Sequence, residues 1–282
     1  MSGFFVFIPY KLRYISSVKS NMKTAAIGIF DSGVGGSSIW REIQKAMPFE
    51  NTIYLADSVN APYGDKSKEA ILDLCIKNTE LLLQLGCKII VVACNTATTN
   101  AITYLRSHYE VPIIGIEPAI KPAALKTTSG VVGVLATKGT LYSELFHETM
   151  KNHASHIKVI AQEGTGIVPL VESGKANSDE MLALVRDFLT PMLDQKMDSL
   201  VLGCTHYPYI IPTLRKIVPS SVLIIDSGAA VAKQTQSVLH SLNLLATSKA
   251  TPVHQFYTNT APMVLQQLVE DVPNTVVDFK PF

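Results

Sequence analysis

The chain has 282 residues, of which 47% are hydrophobic and 17% charged, enough apolar material for two ordinary domains or one large one and too little charge for a disordered chain. Twenty-four lysines and arginines against 23 acids leave a net charge of +1, so no global field favours nucleic acid or an anionic membrane. The four cysteines form no C-x-x-C pair, which speaks against a disulfide scaffold and against a structural zinc.

Residues 1–21 stand apart. Phe4 to Ile8 is an apolar cluster followed by Lys11, Arg13 and Lys19, the reverse of a signal peptide's order and too short for one. They read as an accessory extension, because Met22 onward resembles a natural start. Ala25 to Phe30 is an apolar run that ends in the turn Asp31-Ser32-Gly33-Val34-Gly35-Gly36. Trp40, Ile43 and Met47 then recur at helical spacing up to Pro48. From about Ser67 to Leu85 the positions Ile71, Leu74, Cys75, Leu81, Leu82 and Leu85 share a helical face, and Gly86 marks its stop. Lys88 to Ala93 reads as a strand buried on both faces, and its apolar run through Cys94 is far too short to span a bilayer.

A second series repeats the plan. Val131 to Ala136 is a strand with a turn at Thr137 to Thr140 and a helix through about Met150. Ile157 to Ala161 is a short strand, Ser178 caps a helix carrying Leu182, Val185, Leu189 and Met192, and Ser199 to Gly203 is a buried strand. Continuous apolar strands separated by helices predict an α/β protein with mainly parallel sheets flanked by helices. Asp31 precedes Cys94 by nearly the same distance as Thr137 precedes Cys204. Two similarly built lobes are therefore expected, each with a cysteine just past the carboxyl end of a buried strand, where ligands of open α/β sheets bind.

The Gly-rich turn is neither a P-loop, since no lysine follows Gly36, nor a dinucleotide fingerprint, since Ser38 stands where the third glycine would be. It remains a strand-to-helix turn with bare N–H groups, suited to a carboxylate. Cys75 and Cys87 read as small core residues. Cys94 leads Asn95-Thr96 and Cys204 leads Thr205-His206-Tyr207-Pro208, each a thiol with a burst of hydrogen-bonding groups at a strand end. Three chemistries fit such a pair. A hydrolase would join Cys204 to His206 and leave Cys94 idle. A metal site could use Cys94, Cys204 and His206, with no fourth ligand indicated. Racemisation of an α-amino acid needs two similar acid/bases on opposite faces of Cα, which two thiols from two lobes provide.

Four motifs in order, Phe30 to Gly36, Pro62-Tyr63-Gly64, Ala93-Cys94-Asn95-Thr96 and Leu202 to Pro208, are similar to those of the cofactor-independent glutamate racemases of the aspartate/glutamate racemase superfamily. The resemblance covers almost everything from Met22 onward. It implies two pseudo-symmetric α/β lobes, 22–118 with 227–282 and 119–226, with the active site in the cleft between them. It implies Cys94 and Cys204 as proton carriers, the first acting on D-glutamate and the second on L-glutamate. Asp31, His206 and, less directly, Glu172 are expected to tune the thiols or hold the substrate ammonium. Substrate contacts are expected from Asp31, Ser32, Tyr63, Gly64, Asn95, Thr96, Thr205 and His206. No metal or cofactor is implied. The expected setting is a cytoplasmic homodimer that turns over glutamate for peptidoglycan and takes neither nucleic acid nor membrane as a partner. The Cys-Pro that many relatives carry near Gly164 is missing here, which bears on loop geometry alone.

Overall fold

Strands buried on both faces must be covered by helices on both sides, and that is what the apolar runs become. The computed structural model describes residues 22–282; the extension assigned to residues 1–21 lies outside the described residues. The strands are β1 (Ile27–Asp31), β2 (Thr52–Ala56), β3 (Ile89–Val92), β4 (Ile113–Gly115), β5 (Val131–Ala136), β6 (Lys158–Glu163), β7 (Ser199–Gly203), β8 (Leu223–Ile225), β9 (His254–Thr258) and β10 (Thr275–Phe279). The helices are α1 (Ser37–Ala46), α2 (Lys68–Gln84), α3 (Asn95–His108), α4 (Ile120–Lys126), α5 (Lys138–Leu141), α6 (Glu144–His153), α7 (Ile167–Glu172), α8 (Asp179–Asp194), α9 (Ile211–Leu214), α10 (Gly228–Ser241) and α11 (Met263–Val269). Among the described residues no helix is long and apolar enough to cross a membrane.

The strands form two sheets, ordered β10-β9-β2-β1-β3-β4 and β6-β5-β7-β8, and every pairing is parallel. The repeat suspected from residue spacing is visible as topology. The run β2-β1-β3-β4 has the same order as β6-β5-β7-β8, with the first strand of each series inside and the second and third on its two sides. In each sheet the chain therefore reverses direction across the first and third strands. A crevice opens at their carboxyl ends, where ligands of such sheets lie. In the first sheet those ends carry Asp31-Ser32 and Cys94, in the second Thr137 and Cys204. β9 and β10 extend the first sheet beyond β2, and α10 packs along α1.

Local chemistry sets most element ends. Ser67, Ser143 and Ser178 cap α2, α6 and α8 by accepting the N–H of Ala70, Phe146 and Met181 at 3.2, 3.2 and 3.1 Å. Gly86, at φ 79°, ends α2. Three sequence expectations need adjustment. The strand after Ala25 runs one residue further, so Asp31 is in the ladder. The helix expected through Met150 is two helices, α5 and α6, because Ser143 breaks the first to cap the second. The buried face of α2 is Ile71, Cys75, Asn78, Thr79 and Leu82, with Leu74, Leu81 and Leu85 half-buried at its margin. Of the two polar side chains in core positions there, Asn78 reaches Tyr63, whose place is described below, while the Thr79 hydroxyl has no partner among the described residues.

At the amino end of the first sheet Lys88, just before β3, is fully buried. Its ammonium donates to Glu50 Oε2 at 2.5 Å and to the carbonyls of Lys23 and Leu244 at 3.0 and 2.9 Å. Glu50 Oε1 accepts the Ala246 N–H at 2.7 Å. The pair thus ties the start of β1, the approach to β2 and the segment after α10 into one knot. Glu50→Ala would leave an unpaired ammonium in the core, and we expect a loss of about 3–5 kcal/mol in urea unfolding. Changing both partners to apolar residues should cost much less.

Candidate active site

The turn after β1 lets two carboxylates into its backbone. Gly36 N–H donates to Asp31 Oδ2 and Val34 N–H to Glu172 Oε1, both at 2.7 Å. The glycines are there for space. A Cβ on Gly33 would sit 1.9 Å from Glu172 Oε1, and one on Gly35 would sit 2.1 Å from His206 Nδ1. The bare N–H groups inferred from sequence do bind carboxylates, but here they are the protein's own. Asp31 is completely buried. Burial pushes its carboxyl up to about 6 against the opposing pull of His206 and the Gly36 N–H.

Cys94 is the N-cap of α3. Its sulfur accepts the Ala97 N–H at 3.4 Å and lies 3.7 Å from Ser32 Oγ. A helix N-terminus favours a sulfur anion. In this closed, dry setting, however, burial and then the neighbouring Asp31 raise the thiol well above its ordinary value, outweighing the Ala97 N–H and Ser32. With the cleft closed, the proton stays on Cys94.

Cys204 follows β7 and faces His206, with Sγ 3.8 Å from Nδ1. His206 Nε2 is 2.6 Å from Glu172 Oε1. Burial alone would lower the imidazole, but its hydrogen bonds to Cys204 and Glu172, and their charges, raise it well above its ordinary value. It stands as an imidazolium between a carboxylate and a sulfur. Glu172, at the end of α7, also accepts the Ser58 hydroxyl on Oε2 at 2.9 Å.

Cys94 and Cys204 line one cavity, together with Ser32, Tyr63, Gly64, Asn95, Thr96 and His206. Eight of the residues singled out from sequence are thus brought together. The other three, Asp31, Glu172 and Thr205, stand behind its wall: Thr205 Oγ1 donates to Asp31 Oδ1 at 3.3 Å. Asn95 is 3% exposed, and both the oxygen and the nitrogen of its side-chain amide lack a hydrogen-bond partner. Such an amide is costly unless something fills the cavity. Tyr63 is buried, and its hydroxyl donates to Asp57 Oδ2 at 2.5 Å and accepts Asn78 Nδ2 at 3.1 Å. Its ring and backbone are what remain to face the cavity.

Three lining residues were not among the expected contacts: Pro62, although it belongs to the Pro62-Tyr63-Gly64 motif, Thr137 and Val168. Thr137 had a signal, since it matches Asp31 in the repeat, and its Oγ1 lies 2.8 Å from Thr96 Oγ1 across the cleft. Ser58 gave none, because its partner Glu172 lies far away in sequence, and Asp57, although close in sequence to its partners Asn60 and Tyr63, belongs to no motif. The cavity measures about 10 Å³, room for about one water. Pro62, Gly64, Thr137 and Val168 also wall a second hollow of about 230 Å³ outside it, which reaches Asp65, Lys138 and Glu163. Among the described residues no three His, Cys, Asp or Glu side chains are grouped to hold a metal ion.

The chain is similar to known proteins in sequence and in fold. A sequence model of the Asp/Glu/Hydantoin racemase family matches residues 35–235. The chain is 48% identical to a glutamate racemase of Ectopseudomonas mendocina over 82% of its own length and 88% of that protein's. It is 45% identical to one of Stutzerimonas stutzeri, over 91% and 98% of the two chains. Among solved structures it is similar to a glutamate racemase isoform of Bacillus anthracis, with TM-score 0.80, 29% identity and 92% and 98% coverage. It is also similar to the Escherichia coli glutamate racemase solved with L-glutamate and the activator UDP-MurNAc-ala, with TM-score 0.79, 32% identity and 91% and 98% coverage. The chain belongs to the Asp/Glu/hydantoin racemase family.

Proposed function

We propose that this protein interconverts L- and D-glutamate by moving protons at Cα between two thiols, without an organic cofactor or metal. The observation that carries the reading is that Cys94 and Cys204, from the third strands of two equivalent sheets, line one cavity beside an amide with nothing to bind. The substrate class follows the names of the most similar relatives. The supply of D-glutamate to peptidoglycan, a cytoplasmic setting and a homodimer follow from the same likeness. The lobes are taken as 22–118 with 227–282 and 119–226, hinged where the chain passes between the sheets.

The chemistry is a transfer of one proton off and one proton on. A thiolate on one side takes the Cα hydrogen and becomes S–H, while the electron pair of the C–H bond moves toward the carboxylate. The S–H on the other side then delivers its proton to the opposite face and is left as thiolate. Charge has moved from one sulfur to the other, and a proton exchange with solvent resets the pair. For L-glutamate Cys204 abstracts and Cys94 delivers; for D-glutamate the roles reverse. The proton held on Cys94 in the closed site and the imidazolium beside Cys204 suit the L-to-D direction. Asn95 can donate to the substrate carboxylate and accept from its ammonium, and Ser32, Thr96 and the backbone at Tyr63-Gly64 offer further contacts. His206, held by Glu172, and Asp31, held by Thr205, set the field around the sulfurs. Donors aimed at the developing charge are worth about 10²–10³ in rate each. Substrate comes from the outer hollow once Pro62, Gly64, Thr137 and Val168 part.

Purified protein incubated with L-glutamate in D2O, with no added cofactor, should lose optical rotation and gain deuterium at Cα. L-aspartate should react far more slowly; the reverse order would assign an aspartate racemase. Retention of rotation with release of ammonia from amide substrates would point instead to a Cys204–His206 hydrolase.

Cys94→Ala and Cys204→Ala should each abolish interconversion, because either leaves one face of Cα without a proton carrier. Full activity in either variant would end the two-thiol assignment. Asn95→Ala should lower kcat/KM by about 10²-fold in a circular-dichroism assay run from both enantiomers. The two directions must fall by one factor, since the enantiomers have equal free energy.

A further inference from the structure

A cavity of about 10 Å³ admits no amino acid, so the cleft that closes over the substrate must also open. Several contacts would part. Thr96 and Thr137 share a hydroxyl bond at 2.8 Å, and Ser38 donates to the Thr205 carbonyl at 2.9 Å. Those are bonds between neutral groups. Glu172 is different: its carboxylate, carried on α7 beside the second sheet, is held by two donors from the first. Val34 N–H reaches Oε1 at 2.7 Å and Ser58 Oγ reaches Oε2 at 2.9 Å. Hydrogen bonds to a charged acceptor are about twice as strong as neutral ones.

Ser58 is presented from a fixed support. It opens a short 3₁₀ turn, Ser58–Asn60, past the end of β2. That turn is tied by Asn60 Nδ2 and Asn259 Nδ2 to Asp57 Oδ1 at 2.8 and 2.6 Å, and by Val59 N–H to Asn259 Oδ1 at 2.9 Å. On the other side Oε1 of Glu172, which takes the Val34 amide, also takes His206 Nε2 at 2.6 Å, and His206 Nδ1 faces Cys204. One carboxylate is thus shared between a first-lobe clasp and the imidazole that addresses a proposed proton carrier.

We infer that Ser58 is a positioning residue of the racemisation: with the Val34 amide it clasps Glu172 as the cleft closes, and through Glu172 and His206 it registers that closure at Cys204. The inference rests on the racemase reading of the site. When the cleft opens, Glu172 loses both donors and keeps His206 alone. When it closes, the carboxylate is divided between them, so the imidazole and the sulfur it faces are in working order only around an enclosed substrate.

Ser58→Ala removes one half-buried hydroxyl and should leave the melting temperature nearly unchanged. We expect kcat/KM for glutamate to fall about tenfold, equally in both directions and mainly through KM, with Ser58→Thr restoring most of it. A second readout needs no turnover. The substrate-free thiols Cys94 and Cys204 are 5% and 7% exposed, so iodoacetamide should reach them mainly through the open state. Their labelling, followed by mass spectrometry, should quicken several-fold in Ser58→Ala. Unchanged labelling in the folded variant would remove the clasp; faster labelling with unchanged kcat/KM would remove the positioning role. If the unaltered protein does not racemise glutamate, the racemase reading fails, while the labelling still decides whether Ser58 holds the cleft.

Discussion

Parallel strands all point their carboxyl ends the same way, because each must be reached by a crossover that returns the chain to the sheet's other end. Everything distinctive about this site follows from having two such sheets turn those ends toward each other. Asp31-Ser32 and Cys94 stand at one crevice, Thr137 and Cys204 at the other. The crevices are formed by equivalent strands, so their third strands bring equivalent thiols to one cavity from opposing sides. The racemisation proposed above, between mirror-image molecules of equal energy, calls for such a pair of similar groups, and the repeated strand order supplies it.

Closure makes the site dry, and dryness decides its electrostatics. Cys94, Cys204 and His206 line a cavity with room for about one water, and Asp31 and Glu172 stand just behind it, so each charge is felt strongly by the next. Burial raises Asp31 and Cys94, while the sulfur and carboxylate flanking His206 hold it protonated despite its own burial. Behind the wall Asp31 is held by Gly36 and Thr205, and the Tyr63 hydroxyl by Asp57 and Asn78, while Asn78 Oδ1 and the Thr79 hydroxyl on α2 lack partners among the described residues. Asn95 is the side chain with both amide atoms unpaired, and it lines the cavity, where a polar guest would meet it. One apolar cluster also runs from α1 through Val34 to Ile167, Tyr207 and α8, so the two lobes share a greasy contact near the same turn that the clasp holds.

The sequence by itself carried the α/β class, the twofold plan, the strands leading to Asp31, Cys94 and Cys204, and the serine cap of α8. These depend on neighbours in the chain: apolar runs, turn residues, a hydroxyl three residues from an N–H. Short motifs likewise marked ten residues, and the family resemblance added Glu172; the tertiary structure gathers them at or just behind one cavity. Tertiary structure decided the rest, because its partners are far apart along the chain. The Gly-rich turn looked like an anion cradle, and only folding showed that its glycines make way for Glu172 and His206. The strands β2, β4 and β8 are short apolar runs whose place only pairing decides, and the Lys88–Glu50 knot and the grip of Ser58 on Glu172 leave no local pattern. A hydrogen bond between residues 58 and 172 constrains neither one's neighbours in sequence. It exists only because two separately legible lobes meet at one angle, and that angle is set by packing between surfaces no single segment contains.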